Sequence, residues 1–130
     1  VTQPFTSIQK AVQEVIQTKY PAAAGKVGGA LNYTAGQGLY VCVMLVPGGG
    51  AETQTNGSWT VDIDVFGDNY LTTLDHANAI SALLVGKYHK TSTMLIDRVF
   101  QNVAPAPGPW EDDNVTRLSA TYVFTSRRKG

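Results

Sequence analysis

The stretch Trp59-Thr-Val-Asp-Ile-Asp-Val-Phe-Gly67, followed by Asp68-Asn-Tyr-Leu-Thr-Thr-Leu-Asp-His-Ala-Asn-Ala-Ile-Ser-Ala-Leu-Leu-Val-Gly86, decides the fold. Its first half alternates: Trp59, Val61, Ile63 and Val65 fall on one face, Thr60, Asp62 and Asp64 on the other. That period of two predicts a half-buried strand over Ser58–Phe66. Gly67 breaks the strand, and Asp68 is placed to cap a helix. The period then changes to that of a helix running to about Val85, with Gly86 at the usual C′ position. On a helical wheel Tyr70, Leu74, Ala77, Ile80 and Leu84 form the buried stripe. His76, Ala79 and Leu83 fall nearly opposite. Leu83 therefore needs a second covering element or a neighbouring subunit.

Working outward, Leu39–Val46 is apolar at odd and even positions alike, the pattern of a strand covered on both faces. Pro47-Gly48-Gly49-Gly50 is expected to end it, with a loop to Gly57 closing a long-tipped hairpin. Near the N-terminus Pro4 suits the first position of a helix. Phe5, Ile8, Ala11, Val12, Val15 and Ile16 make its apolar arc, and Tyr20-Pro21 ends it. Residues 21–38, rich in glycine and alanine, predict an irregular connection with a short extended piece near Ala30–Tyr33. Two further strands are expected near Thr93–Asn102 and Val115–Ser126. The run Ala104-Pro105-Ala106-Pro107-Gly108-Pro109 between them reads as irregular. The order helix, strand, strand, helix, strand, strand predicts one α+β domain over residues 1–130. It would be a single sheet of about four to five strands, mostly antiparallel, with both helices packed on one face.

Composition narrows the function classes. The chain has 130 residues, enough for one core, and only 15% are charged, well under the usual quarter. Low charge suits a protein that hides surface against partners, and a two-sided sheet gives the same balance. Ten basic and ten acidic residues cancel, so no global field gathers nucleic acid or an acidic membrane. The basic tail Arg127-Arg128-Lys129 reads as solvated charge. Cys42, the single cysteine, lies in the longest apolar run and reads as a small core residue, with no internal disulfide possible. That run is too short to span a bilayer and the N-terminus shows no basic-plus-apolar signal, so the simplest compartment is the cytoplasm. The sequons at Asn32, Asn56 and Asn114 then carry no meaning.

The residues that could suggest catalysis each lack a required partner. Asp62-x-Asp64 opens like a calcium loop, but the fifth position is Phe66 and the twelfth Thr73, where a bidentate glutamate is required. The two carboxylates stand roughly 7 Å apart at about 3.3 Å per residue, which overlaps inverting-glycosidase spacing. Neighbours on one strand face have like environments, however, and cross-strand pairing with Arg98 or Arg117 is the commoner fate. His76 and His89 have no ligand-spaced partners, Ser81, Ser92 and Ser119 lack a nucleophile elbow, and Gly25-Lys26 lacks the phosphate-loop spacing. No catalytic, cofactor-binding or metal-ligating residue is expected, and the chain is not expected to be an enzyme.

Three segments together resemble the tail terminator (tail completion) proteins of long-tailed bacteriophages. They are Trp59–Gly67, the helix through Ala77-Asn-Ala-Ile-Ser-Ala-Leu-Leu84, and the last strand Val115-Thr-Arg-Leu-Ser-Ala-Thr-Tyr-Val-Phe-Thr-Ser-Arg127. The likeness spans about Leu39–Arg127 and rests on element order and residue texture. It implies a homohexameric ring on the head-proximal end of the tail tube, made in the host cytoplasm and ending in the virion. Such a ring ends tube polymerisation and presents the head–tail joining surface. Its partners would be itself, the tail tube protein and the head–tail connector, with DNA passing through unbound and no membrane involved. On this resemblance His76, Ala79 and Leu83 are candidate subunit contacts. Gly48, Gly49, Gly50, Thr53 and Asn56 form a candidate partner-binding loop, and Asp62 and Asp64 are candidate channel-facing acids. Another neck or head-completion subunit is the near alternative, and a small-molecule-binding α+β domain the distant one.

Overall fold

The computed structural model describes residues 5–52, 56–92, 94–110 and 114–128. Its elements are α1 (Phe5–Lys19), β1 (Val27–Gly28), β2 (Tyr40–Glu52), β3 (Asn56–Gly67), α2 (Tyr70–Leu84), β4 (His89–Lys90), β5 (Met94–Pro107) and β6 (Thr116–Arg128). They form an α+β fold with one six-stranded sheet of order β1-β2-β3-β6-β5-β4. Among the described residues only β1 on β2 is parallel; the other pairings are antiparallel. Against about four to five expected strands, the two that the sequence did not place are β1 and β4, each two residues long, too short to leave a periodicity. The extended piece expected near Ala30–Tyr33 is absent; the strand there is Val27–Gly28 instead.

β3 behaves as its alternation requires. Trp59, Val61, Ile63 and Val65 are buried in one cluster with Ile8, Val12, Val15 and Ile16 of α1 and Ala77, Ile80 and Leu84 of α2. Both helices therefore cover the same sheet face. The first half of β2 is apolar at successive positions because both of its faces are covered there: Val41 and Val43 join the helix-side cluster, while Cys42 joins a second one with Tyr33 and Phe66.

Two expected breaks are not breaks. β2 continues through Pro47-Gly48-Gly49-Gly50, because pairing jumps from Leu45–Val61 to Gly50–Trp59 and leaves residues 46–49 as a bulge. This part of β2 lies beyond the reach of β1, so proline costs no ladder bond there. Likewise β5 runs through Ala104-Pro105-Ala106-Pro107, with register shifts on both sides of Val103. Gly108 donates its N–H to the Arg117 carbonyl (2.9 Å), which turns the backbone of Pro107 outward, where no donor is needed.

The β3–α2 corner also departs in detail. Asn69, not Asp68, caps α2: its side-chain oxygen accepts the Thr72 N–H at 3.1 Å. Asp68 is drawn away by the Gly36 N–H, at 2.8 Å. Thr73 packs so tightly on Gly67 that a Cβ there would collide with it. Thr73 is thus buried and Tyr70, expected in the stripe, stands exposed. After α2, Gly86 adopts φ +73° and donates to the Val99 carbonyl, as a C′ glycine can.

Candidate functional site

The face of the sheet away from the helices carries the polar positions of β3, and it divides into a covered end and a bare end. At the covered end Tyr33 stacks on Phe66 with ring centroids 5.2 Å apart, and Trp110 meets Phe66 edge-on at 4.9 Å. Arg117 lies over both Phe66 and Trp110 and donates from Nη2 to Asp64 at 2.8 Å and from Nη1 to the Pro109 carbonyl at 3.1 Å. Its Nε, buried against the rings, is without a hydrogen bond among the described residues. Asp64 is only 2% exposed, so its charge is consumed inside the fold. The expectation of a channel-facing Asp64 is corrected by this pairing. Cys42 lies beneath the same end, fully buried, and desolvation together with the nearby Asp64 charge pushes its thiol up to about 11.

The bare end begins one pair further along. Asp62 is half-buried and accepts the Thr121 hydroxyl at 2.7 Å, directly across the strand pair. Register carries this row on to Val103, and the next row joins Thr60, Val123 and Phe100. Phe100 is 47% and Val103 50% exposed, and the Arg98 guanidinium lies 5.5 Å over the Phe100 ring. Of the two acids, Asp62 alone looks out from this face. The exposed apolar pair was not singled out from the sequence. Val103 stands beside the proline run, where the strand was expected to have ended.

The candidate subunit contacts on α2 are all half-buried. His76 has a partner within the chain: the Tyr20 hydroxyl lies 2.5 Å from its Nδ1, with the two rings edge-to-face. The off-stripe side of α2 thus meets a second element at His76, while Ala79 and Leu83 keep part of their surface free. Tyr70 and Leu71 are exposed at the head of the helix. Of the candidate loop, Gly48, Gly49 and Gly50 belong to β2 and Asn56 opens β3, so this is a bulged hairpin and not an open loop. Thr53 lies outside the described residues. Arg127, from the basic tail, pairs with Asp97 at 2.7 Å on the surface.

A cleft of about 210 Å³, lined by Leu39, Phe66, Thr72, Thr73 and His76 among others, opens beside the head of α2. Among the described residues no group of three or more His, Cys, Asp or Glu side chains could hold a metal ion. Among them, too, no helix is long and apolar enough to cross a membrane.

No protein-family model matches the chain, and no curated protein does. Among solved structures, a chain in the virion of a native gene transfer agent particle matches with a TM-score of 0.63 and 22% identity, over 95% of both chains. At that identity the likeness shows a shared fold.

Proposed function

We propose that this chain is a structural subunit of a phage-type virion, and within it the tail terminator. The observation that carries the reading is the end-to-end likeness to a chain of a gene transfer agent virion, over 95% of each chain. The resemblance of residues 39–127 to tail terminators adds the finer assignment. In this reading the chain is no enzyme and its mechanism is geometric. Six copies close through a heterologous interface whose rotation returns on itself. The ring binds the last ring of tail tube protein on one side and the connector on the other. Ala79 and Leu83 serve the subunit contact, and the bulged hairpin containing Gly48–Gly50 and Asn56 meets a partner. The bare sheet face turns toward the passage for DNA, with Asp62 as the acid that discourages sticking.

Native mass spectrometry of the purified chain, alone and with its tail tube protein, tests this. The expected result is a ring, and tube polymerisation that stops when the ring is added. A chain that stays monomeric at high concentration and leaves tube growth unchanged overturns the proposal. Imaging a labelled chain on the particle separates the terminator from another neck subunit. A label at the junction of tube and connector supports the terminator; one on the portal supports the neck subunit.

A further inference from the structure

The chain's two histidines hold consecutive residues at the end of the same helix. Lys19 Nζ lies 2.8 Å from His89 Nδ1, and Tyr20 Oη reaches His76 Nδ1. The two contacts differ in what a proton would do to them. A lysine ammonium can only donate, so His89 Nδ1 must offer a lone pair, and the ring proton sits on Nε2. There it points at the Leu84 carbonyl, 3.2 Å away in the last turn of α2. Protonating His89 would set two donors and two positive charges against each other. Tyrosine, by contrast, can accept as readily as it donates, so the His76 contact survives a change of protonation.

We propose that the end of α1 is a latch, closed by Lys19 on neutral His89 and opened when that imidazole is protonated. His89 is fully buried, so an imidazolium there loses its hydration. The charged groups bearing on it are Lys19 from α1 and Lys87 from the turn after α2, both cations. Glu14, the acid on the same helix, is engaged by the Ser92 N–H and hydroxyl at 2.9 and 2.6 Å. Burial above all pushes the His89 pKa below its ordinary value; the hydrogen bond to the Leu84 carbonyl pulls it back up in part, and the two cations add a smaller downward push. Lys19 is itself surface-exposed and can swing into water. Its release loosens the turn leading to β1, whose attachment includes the Val41 N–H donated to the Lys26 carbonyl (2.9 Å). The latch therefore guards the outer edge of β2.

The sign follows from linkage. The closed form binds fewer protons than the open form, so closure is fully stable above the ordinary imidazole value, about pH 6.5, and weakens below it. Amide hydrogen exchange from pH 7.5 to 5.0, corrected for intrinsic rates, reads this directly. Protection of residues 19–28 should fall by up to about tenfold per pH unit below about pH 6.5, the most that one histidine can impose. Protection in β3 and β6 should hold. Lys19→Met, a change at an exposed position, should start at the low level already at pH 7.5 and show no slope. The proposal is overturned by flat protection in the unmodified chain. A fall shared equally by β3 and β6, or a slope that persists in Lys19→Met, overturns it as well.

Discussion

Replacing Arg117 with methionine isolates what the Asp64 pair does. Methionine roughly fills the space between Phe66 and Trp110, so the main change is the loss of a charge. Asp64, 2% exposed, would then be a buried carboxyl group with its ion-pair partner removed. Breaking a buried pair in this way costs about 3–5 kcal/mol. Arg117 keeps 20% of its side chain in water, so solvent reaches the site and the low end, about 3 kcal/mol, is expected. Loss of the stacking on the two rings adds about 1 kcal/mol. For a chain of this length the melting temperature should drop by roughly 12 °C. Urea unfolding followed by tryptophan fluorescence and by circular dichroism gives the value. Asp64→Asn on the Arg117→Met background removes the stranded charge and should recover about 2 kcal/mol. A cost under about 1 kcal/mol for Arg117→Met, or no recovery in the double variant, would refute the reasoning. Asp64 would then be well solvated, and its place in a channel would have to be reconsidered.

Other sites give sharper contrasts between folding and assembly. Leu84→Ala should destabilise by about 3 kcal/mol in chemical denaturation, since Leu84, the last residue of α2, is fully buried. Leu83→Asp, one residue earlier and half-buried, should keep a folded monomer by circular dichroism but lose ring assembly by native mass. The Cys42 thiol, pushed up to about 11, should stay unlabelled by a thiol reagent at pH 8 until denaturant is added. Pro105→Val with Pro107→Val adds backbone donors to the outer side of β5 and should raise aggregation, measured by light scattering, without lowering the melting temperature.

The centre of the fold was legible because β3, α2 and α1 each bury one face, and a single buried face imposes a clear period. The misreadings came where tertiary context decides between locally equal options. Asp68 and Asn69 are both good caps, and the choice falls to Asn69 because Gly36, thirty-two residues away, claims Asp68. Alternation put Asp62 and Asp64 on one face. It could not reveal that Tyr33 and Trp110, from irregular segments, cover that face at Asp64 and stop short of Asp62. Arg117 was one of two cross-strand candidates for these acids; it stands opposite Phe66 and reaches diagonally to Asp64.

The strand breakers teach the most about the surface. Pro47 and its glycines, and Pro105 and Pro107, read as loop signals if every strand is assumed to pair on both sides. They lie on the two outer long strands, where a missing donor costs nothing and a bulge removes a template for further pairing. The same edges are stopped elsewhere: Gln9 Nε2 donates to the Val43 carbonyl at 2.7 Å on β2, and the Gly86 N–H occupies the Val99 carbonyl on β5. A sheet blunted at both edges discourages growth by strand addition. On the proposed reading, subunits then meet along the free side of α2, and the bare sheet face around Phe100 and Val103 is left to the passage. A contact through Ala79 and Leu83 would have no backbone ladder to extend, so on that reading it admits only neighbours of matching shape.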